Sequence, residues 1–110
     1  MATVTTIPVN IAADAAEHAR KLGLQREFEM MLDKLKEIIP ELRAIDVTLE
    51  YPPDYDDDPM ILFGTCQPNY TGPGLDPTNE AWIQWLIKSF GADVNRHFVR
   101  LPFYESGNGR

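Results

Sequence analysis

A chain of 110 residues, 44% hydrophobic and 25% charged, is long enough for one domain with a hydrophobic core and too apolar for an intrinsically disordered protein. Its net charge of −7 argues against nonspecific binding to nucleic acid or to an anionic membrane, because both need clustered positive charge. The single cysteine excludes an internal disulfide. We expect one domain over residues 1–105 and a flexible tail over residues 106–110.

The first half of the chain predicts a strand and two helices. Residues 3–11 alternate as a half-buried strand does, and Pro8, which lacks an amide donor, restricts that strand to a sheet edge. Residues 12–22 are rich in helix-forming residues and are followed by Gly23, a residue typical of the end of a helix. Apolar residues spaced three and four apart predict an amphipathic helix over residues 24–39.

The centre of the chain predicts two strands joined by an acidic loop. Residues 43–51 alternate between apolar and polar side chains, which predicts a strand with one wet face. Residues 60–66 form a short apolar strand that can pair back antiparallel across the loop over residues 52–59. The proline and glycine residues between 67 and 75 predict irregular structure.

A third helix is predicted after Asp76 and Pro77, since a capping carboxylate followed by proline is typical of a helix start. We expect Gly91 to end this helix. One face of the predicted helix carries apolar residues, namely Ala81, Trp82, Trp85, Leu86 and Phe90.

The last residues predict a helical turn over 92–97 and a strand over 98–104, in which Pro102 again requires a sheet edge. Together the elements predict an α+β fold: a small antiparallel sheet of three to four strands with two or three helices packed on one face.

Charge is distributed unevenly along the sequence. Residues 43–80 carry one basic and eight acidic side chains, whereas residues 81–110 carry four basic and two acidic ones. This polarity either steers a protein partner or reflects solvated acidic loops.

Four aspartates, Asp54, Asp56, Asp57 and Asp58, crowd the central loop. Their spacing imitates the first ligands of a calcium loop, but the required glycine and glutamate are replaced by Pro59 and Thr65, so we expect no metal site. The loop is either a solvated turn or a surface that contacts a partner.

Two tryptophans and a phenylalanine, Trp82, Trp85 and Phe90, allow two interpretations. Aromatic residues at helical spacing form a core stripe, or they form an anchor patch for a protein partner.

Two catalytic or ligand-binding alternatives are also open. Cys66 and His97 are the candidate nucleophile and base of a small enzyme, with His18 a more distant candidate. An apolar cleft lined by Trp82, Trp85 or Phe63 would suit a small molecule.

The sequence contains no zinc motif, nucleotide loop or basic recognition helix, so we expect no cofactor and no nucleic-acid partner. The first residues lack the pattern of a signal peptide, and no apolar run is long enough to cross a membrane, which predicts a cytoplasmic protein. The hypothesis we favour is a non-catalytic, acidic protein-binding or regulatory domain that contacts another protein or a second copy of itself.

Overall fold

The computed structural model of the chain describes residues 7–51, 59–68 and 71–105. The tail over residues 106–110 and the aspartates of the central loop lie outside these ranges. Within them the predicted α+β class is confirmed, with four strands and four helices in the order β1 (Val9–Ile11), α1 (Ala13–Leu22), α2 (Gln25–Ile38), β2 (Ala44–Glu50), β3 (Met60–Pro68), α3 (Pro77–Ser89), α4 (Ala92–Asn95) and β4 (Phe98–Glu105).

The four described strands form one mixed sheet in the order β1-β2-β3-β4. The central pair, β2 and β3, is antiparallel as predicted. The outer pairs, β1 with β2 and β3 with β4, are parallel, so the predicted antiparallel sheet is wrong. A parallel pair needs a long crossover, and here α1 and α2 provide one crossover while α3 and α4 provide the other.

The predicted start of α3 and end of α1 are both confirmed. Gly23 adopts the left-handed conformation with φ +72°, and its N–H donates to carbonyls of the last turn of α1. The side chain of Asp76 accepts a hydrogen bond from the N–H of Thr78 at 2.9 Å, with Pro77 in the first turn.

The predicted role of Gly91 is wrong. Helix α3 ends at Ser89, and Phe90 is its C-cap residue. Gly91, at φ −80°, is instead the N-cap residue of the one-turn helix α4. The described residues therefore contain four helices, whereas two or three were predicted. The side-chain amide of Asn95 donates to the carbonyls of Leu86 at 3.1 Å and Phe90 at 3.4 Å. A side chain from α4 therefore satisfies the end of α3, and no left-handed glycine is required.

The hydrophobic core lies between the helices and one face of the sheet, here called the covered face. Its centre is a stack of three rings, with centroid distances of 5.7 Å between Phe28 and Phe63, 5.9 Å between Phe63 and Phe98, and 6.4 Å between Phe28 and Phe98. Trp82 meets Phe63 edge-on at 6.3 Å. The aromatic stack thus joins α2, β3, α3 and β4 into one core.

Strand β4 lies at the edge of the sheet, as Pro102 predicts. The N–H of Ile61 donates to the carbonyl of His97 at 2.9 Å, and Ile61 lies opposite Phe98 in the parallel register. In such a ladder the odd-numbered residues of β4 bond to β3, while the even-numbered ones direct their N–H and C=O groups outward. The missing N–H of Pro102 therefore falls on the outer edge and costs no bond of the ladder.

Candidate functional site

The face of the sheet opposite the core, here called the open face, has one polar and one apolar half. On β2 it carries exposed Asp46 and Glu50, and Asp46 accepts a hydrogen bond from Asn10 of β1 at 2.9 Å. On β4 it carries three exposed apolar side chains, Val99, Leu101 and Phe103. No described helix packs on this face, so the apolar half meets solvent.

The position of Phe103 is fixed by a glycine on the neighbouring strand. A Cβ atom built on Gly64 would lie 2.7 Å from Cε2 of Phe103 and 3.2 Å from the backbone carbonyl oxygen of Asp46. The ring therefore lies against the bare backbone of β3, and half of its surface stays exposed at 51%. Glycine is required here by close approach rather than by its own backbone angle.

Exposed apolar side chains concentrate around the edge formed by β4. Among the described residues ten large hydrophobic side chains are exposed, and six of them lie on α3 or β4. We call these six the β4 patch: Ile83, Ile87, Val99, Leu101, Phe103 and Tyr104.

The α3 members of the β4 patch lie on the side of the helix that faces the strand. Asn79 and Glu80 of α3 line a pocket of 320 Å³ together with Pro102 and Tyr104 of β4. Ile83 follows Asn79 by one helical turn, which places it on the same side of α3, and Ile87 lies one turn further on. Apolar side chains therefore flank the edge of β4 on both faces of the sheet.

A buried polar cluster holds β4 against β3 on the covered face. The guanidinium of Arg100 donates to Oγ1 of Thr65 at 3.2 Å and to Oε1 of Gln67 at 2.6 Å. Thr65 and Gln67 are buried and are themselves hydrogen-bonded at 3.0 Å. Burial lowers the pKa of Arg100, and the nearby Tyr104 and Asp76 act in the opposite direction. These contacts satisfy polar groups inside the fold and anchor the strand that carries the patch.

The predicted aromatic anchor does not form an exposed patch. Trp82 is only 4% exposed, while Trp85 and Phe90 are half-buried and pack against the core. The rings of Trp82 and Trp85 stack at 5.5 Å, Phe90 meets Trp85 edge-on at 5.4 Å, and Lys34 lies over the Trp85 ring. Ala81, expected on the same face, is exposed. Trp82 is therefore a core residue. Trp85 and Phe90 pack at the margin of the core, where Trp85 lies beside Lys34 of α2.

The proposed nucleophile and base lie far apart. Cys66 is opposite Phe103 in the register, and His97 precedes Phe103 by six residues, which is about 20 Å along a strand. Cys66 pairs with Ala44 at the start of β2, whereas His18 lines a pocket with Leu49 near the end of that strand. The five residues from Ala44 to Leu49 span about 17 Å. Neither imidazole reaches Cys66, so neither pair forms a catalytic dyad.

Two of the three residues expected to line an apolar cleft pack against each other in the core. Phe63 is fully buried and Trp82 nearly so, and the two rings are in contact with each other. The pocket beside the β4 edge is instead lined by Asp76, Glu80, Tyr104 and other residues of α3 and β4, and it contains none of the residues that the small-molecule hypothesis named.

Within the described ranges, no group of three or more histidine, cysteine, aspartate or glutamate residues is arranged to hold a metal ion. None of the helices in the described part of the chain combines the length and apolar character needed to cross a membrane. No protein-family model, curated protein or solved structure matches the chain significantly.

The residues that form the β4 patch were not identified from the sequence. Val99, Leu101 and Phe103 alternate with Phe98, Arg100 and Pro102, so both faces of the predicted strand contain apolar side chains. A half-buried strand with one wet face has apolar residues on one side only. This departure from alternation is the signal that distinguishes β4 from β2.

Proposed function

We propose that the chain is a non-catalytic protein-binding domain and that it contacts its partner through the β4 patch. The observation that carries the proposal is the concentration of exposed apolar side chains on the two sides of one sheet edge. Scattered single hydrophobic residues are normal on a protein surface, whereas contiguous ones mark interaction sites.

The size of the patch supports a protein partner. Taking about 180 Å² for a fully exposed large apolar side chain, the exposed fractions of the six residues correspond to roughly 500 Å². The sum lies within the range of the largest apolar patches of ordinary monomers, about 300–600 Å², which are often functional. It is divided between the two faces of the sheet, with about 240 Å² on the open face from Val99, Leu101 and Phe103. The patch also includes the outer edge of β4, which pairs with no other described strand and can form backbone hydrogen bonds with another chain.

Site-specific photocross-linking tests this proposal. A benzophenone amino acid is introduced separately at Leu101 and at Ile87 in cells that naturally produce the protein, with Lys36 on the exposed side of α2 as the control position. We expect irradiation to give a protein adduct of the same mass from both patch positions and none from Lys36. The absence of protein adducts at both patch positions would refute the proposed function.

A further inference from the structure

We infer that the partner at the β4 patch is a second copy of this chain, joined edge to edge through β4 about a two-fold axis. The inference rests on the proposed function, because it requires the β4 patch to be a contact surface. It adds the identity of the partner, the symmetry and the register.

The first argument is the arrangement of the apolar residues around the edge. A two-fold axis places the same surface of two copies against itself, so the surface must be self-complementary. Val99, Leu101 and Phe103 flank the β4 edge on the open face, and Ile83 and Ile87 flank it on the covered side. Pairing two such edges about Val99 brings the two Val99 side chains together on the open face and places Ile83 and Ile87 of each copy beside the joined edge on the covered side.

The second argument is the distribution of charge. Two copies that each carry a charge of −7 repel unless their acidic parts stay apart. The acidic side chains of the open face, Asp46 and Glu50, lie on β2, two strands away from the β4 edge. Across a joined sheet the two β2 strands are five spacings apart, about 24 Å, which is about three Debye lengths at physiological salt.

The same distribution favours a second copy over a basic partner. A strongly basic protein would be attracted to the acidic β2 side, where Asp46 and Glu50 are exposed. The β4 patch consists instead of uncharged side chains, and the acidic residues near it, Asp76 and Glu80, line the pocket on the covered side.

The third argument is the area available. Complete burial of two patches of roughly 500 Å² would supply about 1,000 Å², which is the lower limit for a specific interface. Backbone pairing along the edge adds to this area.

The position of Pro102 selects the register. The outward-directed residues of β4 are Phe98, Arg100, Pro102 and Tyr104, and Pro102 has no N–H to donate. A register centred on Val99 pairs Phe98 of each copy with Arg100 of the other, which allows four backbone hydrogen bonds and leaves Pro102 outside the paired segment. Val99 then faces its own copy as a pair without mutual hydrogen bonds, with Cα atoms about 4.5 Å apart.

The register predicts a specific disulfide. In a Cys66→Ser background, Val99→Cys places two thiols within the Cα separation that a disulfide requires. In the control variant, Leu101→Cys, the two introduced cysteines lie four residues apart along the joined strands, which is about 13 Å. We expect mild oxidation to give a covalent dimer from Val99→Cys and not from Leu101→Cys.

Sedimentation velocity on the purified full chain tests the inference. We expect the parent protein to sediment as a dimer of 12.5 kDa chains and Leu101→Asp to sediment as a monomer. Met30→Asp, which introduces the same charge at an exposed apolar residue of α2, should remain dimeric. Far-UV circular dichroism confirms that each variant is folded.

A monomeric parent protein, or a dimer that Leu101→Asp leaves intact, would overturn the inference. If the parent is monomeric and the photocross-linked adducts contain a different protein, the inference fails and the proposed function stands. If the parent is monomeric and no adduct forms at Leu101 or Ile87, both fail.

Discussion

Replacing Gly64 by alanine tests whether the ring of Phe103 lies against the backbone of β3. The new Cβ would lie 2.7 Å from Cε2 of Phe103, a distance at which one of the two groups must move. Overpacking of this kind costs about 1–3 kcal/mol. If the ring is absent, two opposing effects remain. Alanine reduces the conformational freedom of the unfolded chain, which stabilises the fold by about 0.4–1 kcal/mol, and the carbonyl of Asp46 at 3.2 Å still crowds the new methyl group. We therefore expect the substitution to be close to neutral in the absence of the ring.

Four proteins are therefore compared by urea unfolding: the parent chain, Gly64→Ala, Phe103→Ala and the double variant. We expect a coupling free energy of about 2 kcal/mol between the two positions, and, with a urea slope near 1.5 kcal/mol/M, a midpoint for Gly64→Ala lower by about 1 M. All four are measured at one low protein concentration, since self-association adds stability that depends on concentration. A Gly64→Ala effect of equal size with and without the ring would refute the reasoning.

Three further predictions concern the core, a helix cap and an ion pair. Trp82→Ala should lower the free energy of unfolding by about 3–5 kcal/mol. Ile87, exposed at 64%, is the control, and Ile87→Ala should change the stability of the monomer by less than about 0.5 kcal/mol. Similar losses of stability for the two variants in urea titrations would contradict the assignment of Trp82 to the core. Asp76→Ala should cost about 1 kcal/mol and Asp76→Asn less, because an asparagine oxygen can still accept the hydrogen bond from the helix; equal unfolding midpoints for all three proteins would argue against the cap. The hydrogen bond from Arg20 lowers the pKa of Glu17, so its stabilising contribution is present at neutral pH and lost as the pH falls through that lowered pKa. Arg20→Gln should move the carboxyl titration of Glu17, followed by NMR, to higher pH, and an unmoved midpoint would contradict the contact.

The elements that depend on local sequence were predicted to within a few residues. The apolar spacing of residues 24–39 corresponds to α2 at Gln25–Ile38, and the alternation of residues 43–51 corresponds to β2 at Ala44–Glu50. Each pattern reflects burial of one side of one element, which the sequence of that element alone determines.

The parallel pairing of the outer strands was not predictable in the same way. Nothing within residues 98–104 specifies whether β4 lies parallel or antiparallel to β3, because both arrangements use the same alternation. The choice goes together with the crossover through α3 and α4, which packs on the sheet through contacts between distant residues such as Trp82 and Phe63.

The candidate site was missed for a related reason. The tryptophans suggested a binding surface because tryptophan is common at interaction sites, yet α2 and the sheet cover Trp82. Apolar residues on both faces of β4 are visible in the sequence, but a strand covered on both faces has the same pattern. The exposure of Val99, Leu101 and Phe103 follows from the packing of the described helices on the other face, which lies outside the local sequence of β4.

The order of strands in the sheet has a consequence for how the chain folds. Residues 51–59 separate β2 from β3, whereas residues 12–43 separate β1 from β2 and residues 69–97 separate β3 from β4. Because closing a short loop costs less entropy than closing a long one, we expect the central pair to form first and each outer strand to dock after its crossover helices have packed. Among the described strands, the three-residue β1 pairs with β2 alone, so we expect it to open locally at lower free energy than β2 or β3, whose amides should exchange with solvent most slowly.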